Sequence, residues 1–88
     1  MHAVVIVTKL NDRTAARAAL PDLVSLVSGM QGFVSGHWVA SPSEDRGSAM
    51  IVFESEDAAE ALASIARQTP DAAVTTESVT VGEVWARV

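Results

Sequence analysis

Hydrophobic and polar positions follow two different periods along the chain and divide it into six segments. Residues 3–10, Ala-Val-Val-Ile-Val-Thr-Lys-Leu, are β-branched and nearly continuously apolar, as a central strand covered on both faces would be. Asn11 and Asp12 come next. A short side-chain oxygen there accepts from the free amides of a helix's first turn, so the pair predicts an N-cap. From about Arg13, Ala16, Leu20, Leu23, Val27 and Met30 recur at spacings of four and three, on one face of a helix. Pro21 sits inside that pattern. It lacks an N–H and clashes with the carbonyl four residues back, at a cost of about 3 kcal/mol in a helix interior, which predicts a kink or break near Leu20. Gly29 or Gly32 then ends the helix in the left-handed conformation that glycine adopts freely.

Gly32–Ala40 reads as a second strand whose alternation puts Phe33, Ser35, His37 and Val39 on one face and Val34, Gly36, Trp38 and Ala40 on the other. The polar turn Ser41–Gly47 joins it to Ser48–Glu54, predicting an antiparallel hairpin. Ser55 is a second N-cap, and Glu56 and Asp57 favour the positive end of the helix dipole. Ala58, Leu62 and Ile65, with Ala61 and Ala66, form the expected buried face of this alanine-rich helix. Thr69-Pro70-Asp71 ends it, and the polar segment through Ser78 reads as a loop, with Ala72–Val74 open to a helical turn or a short strand. Val79–Val88 is the expected last strand. The order βαββαβ with right-handed crossovers predicts an α+β, ferredoxin-like domain, a four-stranded antiparallel sheet with both helices on one face.

Length and composition add assembly to this picture. Eighty-eight residues, 49% of them hydrophobic, make one domain, residues 1–88. A domain of this size buries only roughly 60–65% of the surface its unfolded chain exposes, so association through a sheet face is expected. No cysteine is present, which leaves no disulfide framework, thiolate metal site or cysteine nucleophile. A net charge of −5 opposes binding to a nucleic-acid backbone or an anionic membrane. RNA stacking also needs more than the single aromatic, Phe53, of the third strand. The apolar run Ala3–Val7 has no basic segment before it and is too short to span a bilayer, so a soluble, unprocessed, cytoplasmic protein is expected.

Three features carry a family resemblance: the element order over the whole chain, Gln31-Gly32-Phe33 at the start of strand two, and Val52-Phe53-Glu54-Ser55-Glu56-Asp57-Ala58 at a strand-to-helix junction. The chain resembles the dimeric α+β barrel superfamily, in the neighbourhood of the antibiotic biosynthesis monooxygenases. In that superfamily Pro-Gly-Phe often stands where this chain has Gln31-Gly32-Phe33. The resemblance implies a homodimer, two sheets packed through their open faces, with a small apolar cavity within each subunit. It also implies oxygenation of electron-rich aromatics without a cofactor, or haem degradation. The haem-degrading members carry a histidine ligand in or near the second helix, and Ser55–Thr69 contains none. The oxygenases tend to surround substrate with tyrosine, arginine, asparagine and tryptophan; this chain has no tyrosine and one asparagine, Asn11.

His37 is the only histidine inside a predicted element, and a neutral imidazole serves as a general base near pH 7, so it is the candidate catalytic residue. A histidine on a strand surface or interface fits the same position. Trp38 is a candidate for lining a pocket or anchoring a dimer, since its ring is apolar with one N–H donor. Met50 and Phe53 lie on opposite faces of strand three, so at most one of them lines a given cavity. Trp85 stands between Glu83 and Arg87 on one face of the expected last strand, where the three would grip a small ligand or form an ordinary charged edge. His2 and His37 with no third ligand at a defined spacing imply no metal site. No cofactor is expected. The leading expectation is a homodimer that binds a small apolar molecule or oxygenates it as a monooxygenase-like enzyme. The alternative is a non-enzymatic ligand-sensing module, which would hold its ligand between subunits.

Overall fold

The apolar run near the N-terminus becomes the centre of the sheet. In the computed structural model, which describes all 88 residues, the order is β1 (His2–Leu10), α1 (Arg13–Ser28), β2 (Phe33–Ala40), β3 (Arg46–Phe53), α2 (Glu56–Gln68) and β4 (Val74–Glu83). The strands form one sheet in the order β2-β3-β1-β4, and all three pairings are antiparallel. This is the expected ferredoxin-like βαββαβ arrangement.

Alternation sorts each strand into a helix-facing and an open side. Val4, Ile51 and Phe53 face the helices and join Val27 of α1 and Ala59, Leu62 and Ala63 of α2 in the core. Phe33 meets Phe53 edge to face, with ring centroids 6.2 Å apart, a favoured geometry for aromatic quadrupoles. Ala3 and Val52 are buried but lie outside that core cluster, as register partners on the opposite side.

Strand two departs from simple alternation. The β2–β3 register slips between Phe33 and Ser35, so a bulge at Val34 puts Phe33 on the same side as Gly36 and Trp38. An extra residue in one strand reverses the facing of everything beyond it. His37 still opposes Trp38: it pairs with Met50 on the open side while Trp38 pairs with Ala49 on the helix side.

Asp12 is the α1 N-cap, accepting from the Ala15 amide at 3.0 Å. The helix runs unbroken through Pro21, which is exposed. Gly29 caps it in a right-handed conformation, and the positive φ belongs to Gly32 (83°) in the turn before β2. A Cβ at Gly32 would also meet the Ala58 Cβ at 3.0 Å, so glycine satisfies both the backbone and the close approach of α2. Ser55 caps α2 by accepting from the Ala58 amide at 3.2 Å. The buried face of α2 is Ala59, Leu62 and Ala63, with Ala61 and Ile65 exposed. That face is turned by about one position from the expected one.

The last strand occupies Val74–Glu83 rather than Val79–Val88. Its limits are set by β1, whose ends His2 and Leu10 pair with Glu83 and Val74. Trp85 and Arg87 lie beyond it, so Glu83, Trp85 and Arg87 share no strand face. A second bulge, between Val7 and Thr8, leaves Glu77 as the extra residue, and its carboxylate accepts from Arg46 at 2.6 Å. No helix is long and apolar enough to cross a membrane.

Candidate functional site

The two helices cover the sheet unequally. Three residues of α2 are buried against one of α1, Val27. The stripe Ala16, Leu20 and Leu23 faces the sheet but stands off from it, and a half-open cleft of about 360 Å³ separates the two. That volume is at the small end of the ~300–1,000 Å³ typical of ligand pockets.

The floor is the helix side of the sheet, from Ile6, Thr8 and Leu10 of β1 and Ala49 of β3, with Trp38 of β2 in the wall. Small residues make the room: Ala49 and Gly47 stand opposite Trp38 and Ala40 in the register. The indole lies across Gly36, where a Cβ would come within 2.9 Å of the ring. Most of the lining is hydrophobic, so a bound molecule would be held chiefly by burial of apolar area.

Polar groups gather at the mouth. Arg13 and Arg17, one helical turn apart on α1, and Asp71 from the α2–β4 connection line it. Arg13 Nη2 donates to the carbonyls of Ser41 at 2.7 Å and Glu44 at 2.6 Å, tying the start of α1 to the β2–β3 loop. The Ser41 hydroxyl accepts from the Glu44 amide at 3.2 Å and keeps that loop closed. Asp71 accepts from the Ala73 amide at 2.8 Å.

The residues singled out in the sequence therefore separate. Trp38 lines the cleft. Phe53 is in the core beneath it, fully buried. His37 and Met50 are neighbours on the open side of the sheet, where Met50 is 51% exposed. Trp85 is 91% exposed and does not line the cleft. Neither Arg13 nor Arg17 is among the candidate site residues read from the sequence. Their i, i+4 spacing on the helix that also carries the apolar stripe was the signal available.

The overall path of the chain matches known structures. It superposes on the structural-genomics protein YJCS with a TM-score of 0.67 and 16% identity, over 94% of this chain and 97% of that one. It superposes on a variant of MhuD with two manganese protoporphyrin IX molecules bound per active site (TM-score 0.65, 16% identity, 100% and 98% covered). A third match is the haem degrader MhuD from Mycobacterium tuberculosis with two haems in its active site (TM-score 0.56, 21% identity, 97% and 98% covered). The chain shares their fold. No protein-family model and no curated protein matches the sequence.

Haem is the group this likeness raises, and the cleft does not fit it. Haem iron takes an axial histidine, cysteine, methionine or tyrosine, and none of these lines the cleft. His2 packs at the far end of the sheet, 3.5 Å from the Glu56 carboxylate, and His37 is on the other side of it. No group of three or more histidine or acidic side chains is placed to hold a metal ion.

Proposed function

We propose that the protein binds a small, largely apolar molecule in the cleft under α1 and works as a homodimer joined through the open side of the sheet. The observation that carries this reading is the cleft itself: an apolar cavity within one subunit, walled by Trp38. A site lined by residues of one subunit favours it over the ligand-sensing alternative, which would place the ligand between subunits. If the bound molecule is turned over, the reading is a monooxygenase-like reaction without a cofactor. The substrate must then be an aromatic rich enough in electrons to reduce dioxygen itself, and the chain supplies a dry wall and a cationic mouth.

The test uses the Trp85→Phe protein, in which Trp38 is the only indole. Titration with the neutral aromatic naphthamide is expected to change Trp38 emission saturably and to yield one site per chain by calorimetry. No heat and no change in emission would remove the cleft as a binding site. For turnover, oxygen uptake with dihydroxynaphthalene is expected to exceed the protein-free rate; equality of the two rates leaves a binder without enzymatic activity. Added haemin is expected to show no absorption spectrum of axially ligated iron.

A further inference from the structure

Taking the cleft as the binding site proposed above, we infer that it selects an apolar molecule carrying one anionic group, a carboxylate or a phenolate held at the mouth by Arg17 with Arg13 behind it. The protein is acidic, −5 overall with only six basic residues, and two of those six line one apolar cleft. Their partners set them apart from other arginines of the chain. Arg46 is paired with Glu77 at 2.6 Å, and Arg67 with Glu60 at 3.8 Å. Neither Arg13 nor Arg17 has a carboxylate within 4 Å.

The two cations have different tasks. Arg13 is fixed by its bonds to the Ser41 and Glu44 carbonyls. Neutral carbonyls orient the guanidinium without cancelling its charge, so Arg13 contributes positive potential from a set position. Arg17 makes no hydrogen bond or ion pair within the chain, and its fork of N–H donors is free to take a carboxylate in the two-pronged geometry that guanidinium favours. Asp71 is the one acidic side chain in the lining, and one of its oxygens is already committed to the Ala73 amide. Beside apolar walls the effective dielectric falls below that of water, which strengthens attraction to a charge of opposite sign. A neutral apolar ligand would use only the walls, and a cationic one would meet two unpaired guanidiniums.

A matched pair of probes separates charge from shape: naphthoate and its neutral isostere naphthamide, titrated into the Trp85→Phe protein with Trp38 emission and calorimetry as readouts. Naphthoate is expected to bind about tenfold more tightly, the effect of one partly exposed charge-assisted hydrogen bond. Arg17→Gln is expected to bring naphthoate to the naphthamide level while leaving naphthamide within about twofold, and Arg17→Lys to keep part of the preference. Because Arg17 is exposed and bonded to nothing, these variants leave the fold intact. Equal affinities for the two probes in the parent protein would overturn the anion selectivity and leave the cleft as a neutral binding site. A full naphthoate preference in Arg17→Gln would overturn the assignment to Arg17. Binding of neither probe would overturn both this selectivity and the cleft reading beneath it.

Discussion

Gly36 and Trp38 act as a unit at the wall of the cleft. The indole lies across the glycine, and a methyl group there would meet ring atoms at 2.9 and 3.0 Å. Gly36→Ala is expected to swing the ring out of its present seat and to cost about 1–3 kcal/mol, as overpacking does; urea unfolding measures the loss and a shift in Trp38 emission reports the movement. Residue types alone made Trp38 a candidate, but its partner and its company were harder to see. Strict alternation sets Phe33 opposite Trp38, whereas the bulge at Val34 brings both to the helix side. A bulge is one unpaired residue in a ladder, a property of two strands together, and only the adjacent apolar pair Phe33-Val34 hints at it. Trp85 shows the same limit. Its apolar, alternating surroundings look like strand, yet β1 starts at His2 opposite Glu83, and past that pair the only backbone bond is from the Val84 amide to the Met1 carbonyl at 2.9 Å.

At the scale of elements, the two helices differ in how they are held. α2 has a cap, two acidic residues in its first turn, Arg67 in its last and three buried side chains. Ser55→Ala is expected to remove about 1 kcal/mol by freeing the Ala58 amide, which a denaturant midpoint would show. α1 carries Pro21 at an exposed interior position and leaves the Arg17 carbonyl without its helical donor. Pro21→Ala is expected to raise stability by up to about 3 kcal/mol, measured the same way. Helical spacing in the sequence correctly names which side of α1 faces the sheet, since Val27 is buried and Ala16, Leu20 and Leu23 line the cleft. It carries no information about how far the helix stands from the strands. The small residues opposite, Gly47 and Ala49, leave the space beneath it unfilled, and so the cleft is written in two segments that are only read together in space. In α2 five of the thirteen residues are alanine, so adjacent faces differ little in side-chain bulk, and the expected face lies about one position from the buried one.

For the whole molecule, the open side of the sheet presents Val5, Val7, Val39 and Met50 around His37, with Val39 61% exposed. A stable partner would bury about 800 Å² per chain, roughly a seventh of the 5848 Å² of accessible surface. Met50→Glu places a carboxylate in the middle of that face and is expected to convert a dimer seen by light scattering into a monomer with the helices unchanged by circular dichroism; a parent protein that is monomeric at micromolar concentration would remove the dimer. The element order was legible from end to end because strand and helix periods are local properties. The pairing of β1 with both β3 and β4 rests on topology, and it has a consequence for synthesis. The strand that emerges early from the ribosome is the one that both later partners must flank, and its second partner ends only at Glu83. Until then Val4–Val7 has one unsatisfied edge. A nascent chain halted between β3 and β4 therefore displays a bare apolar strand, the kind of surface that chaperones hold and that aggregates recruit.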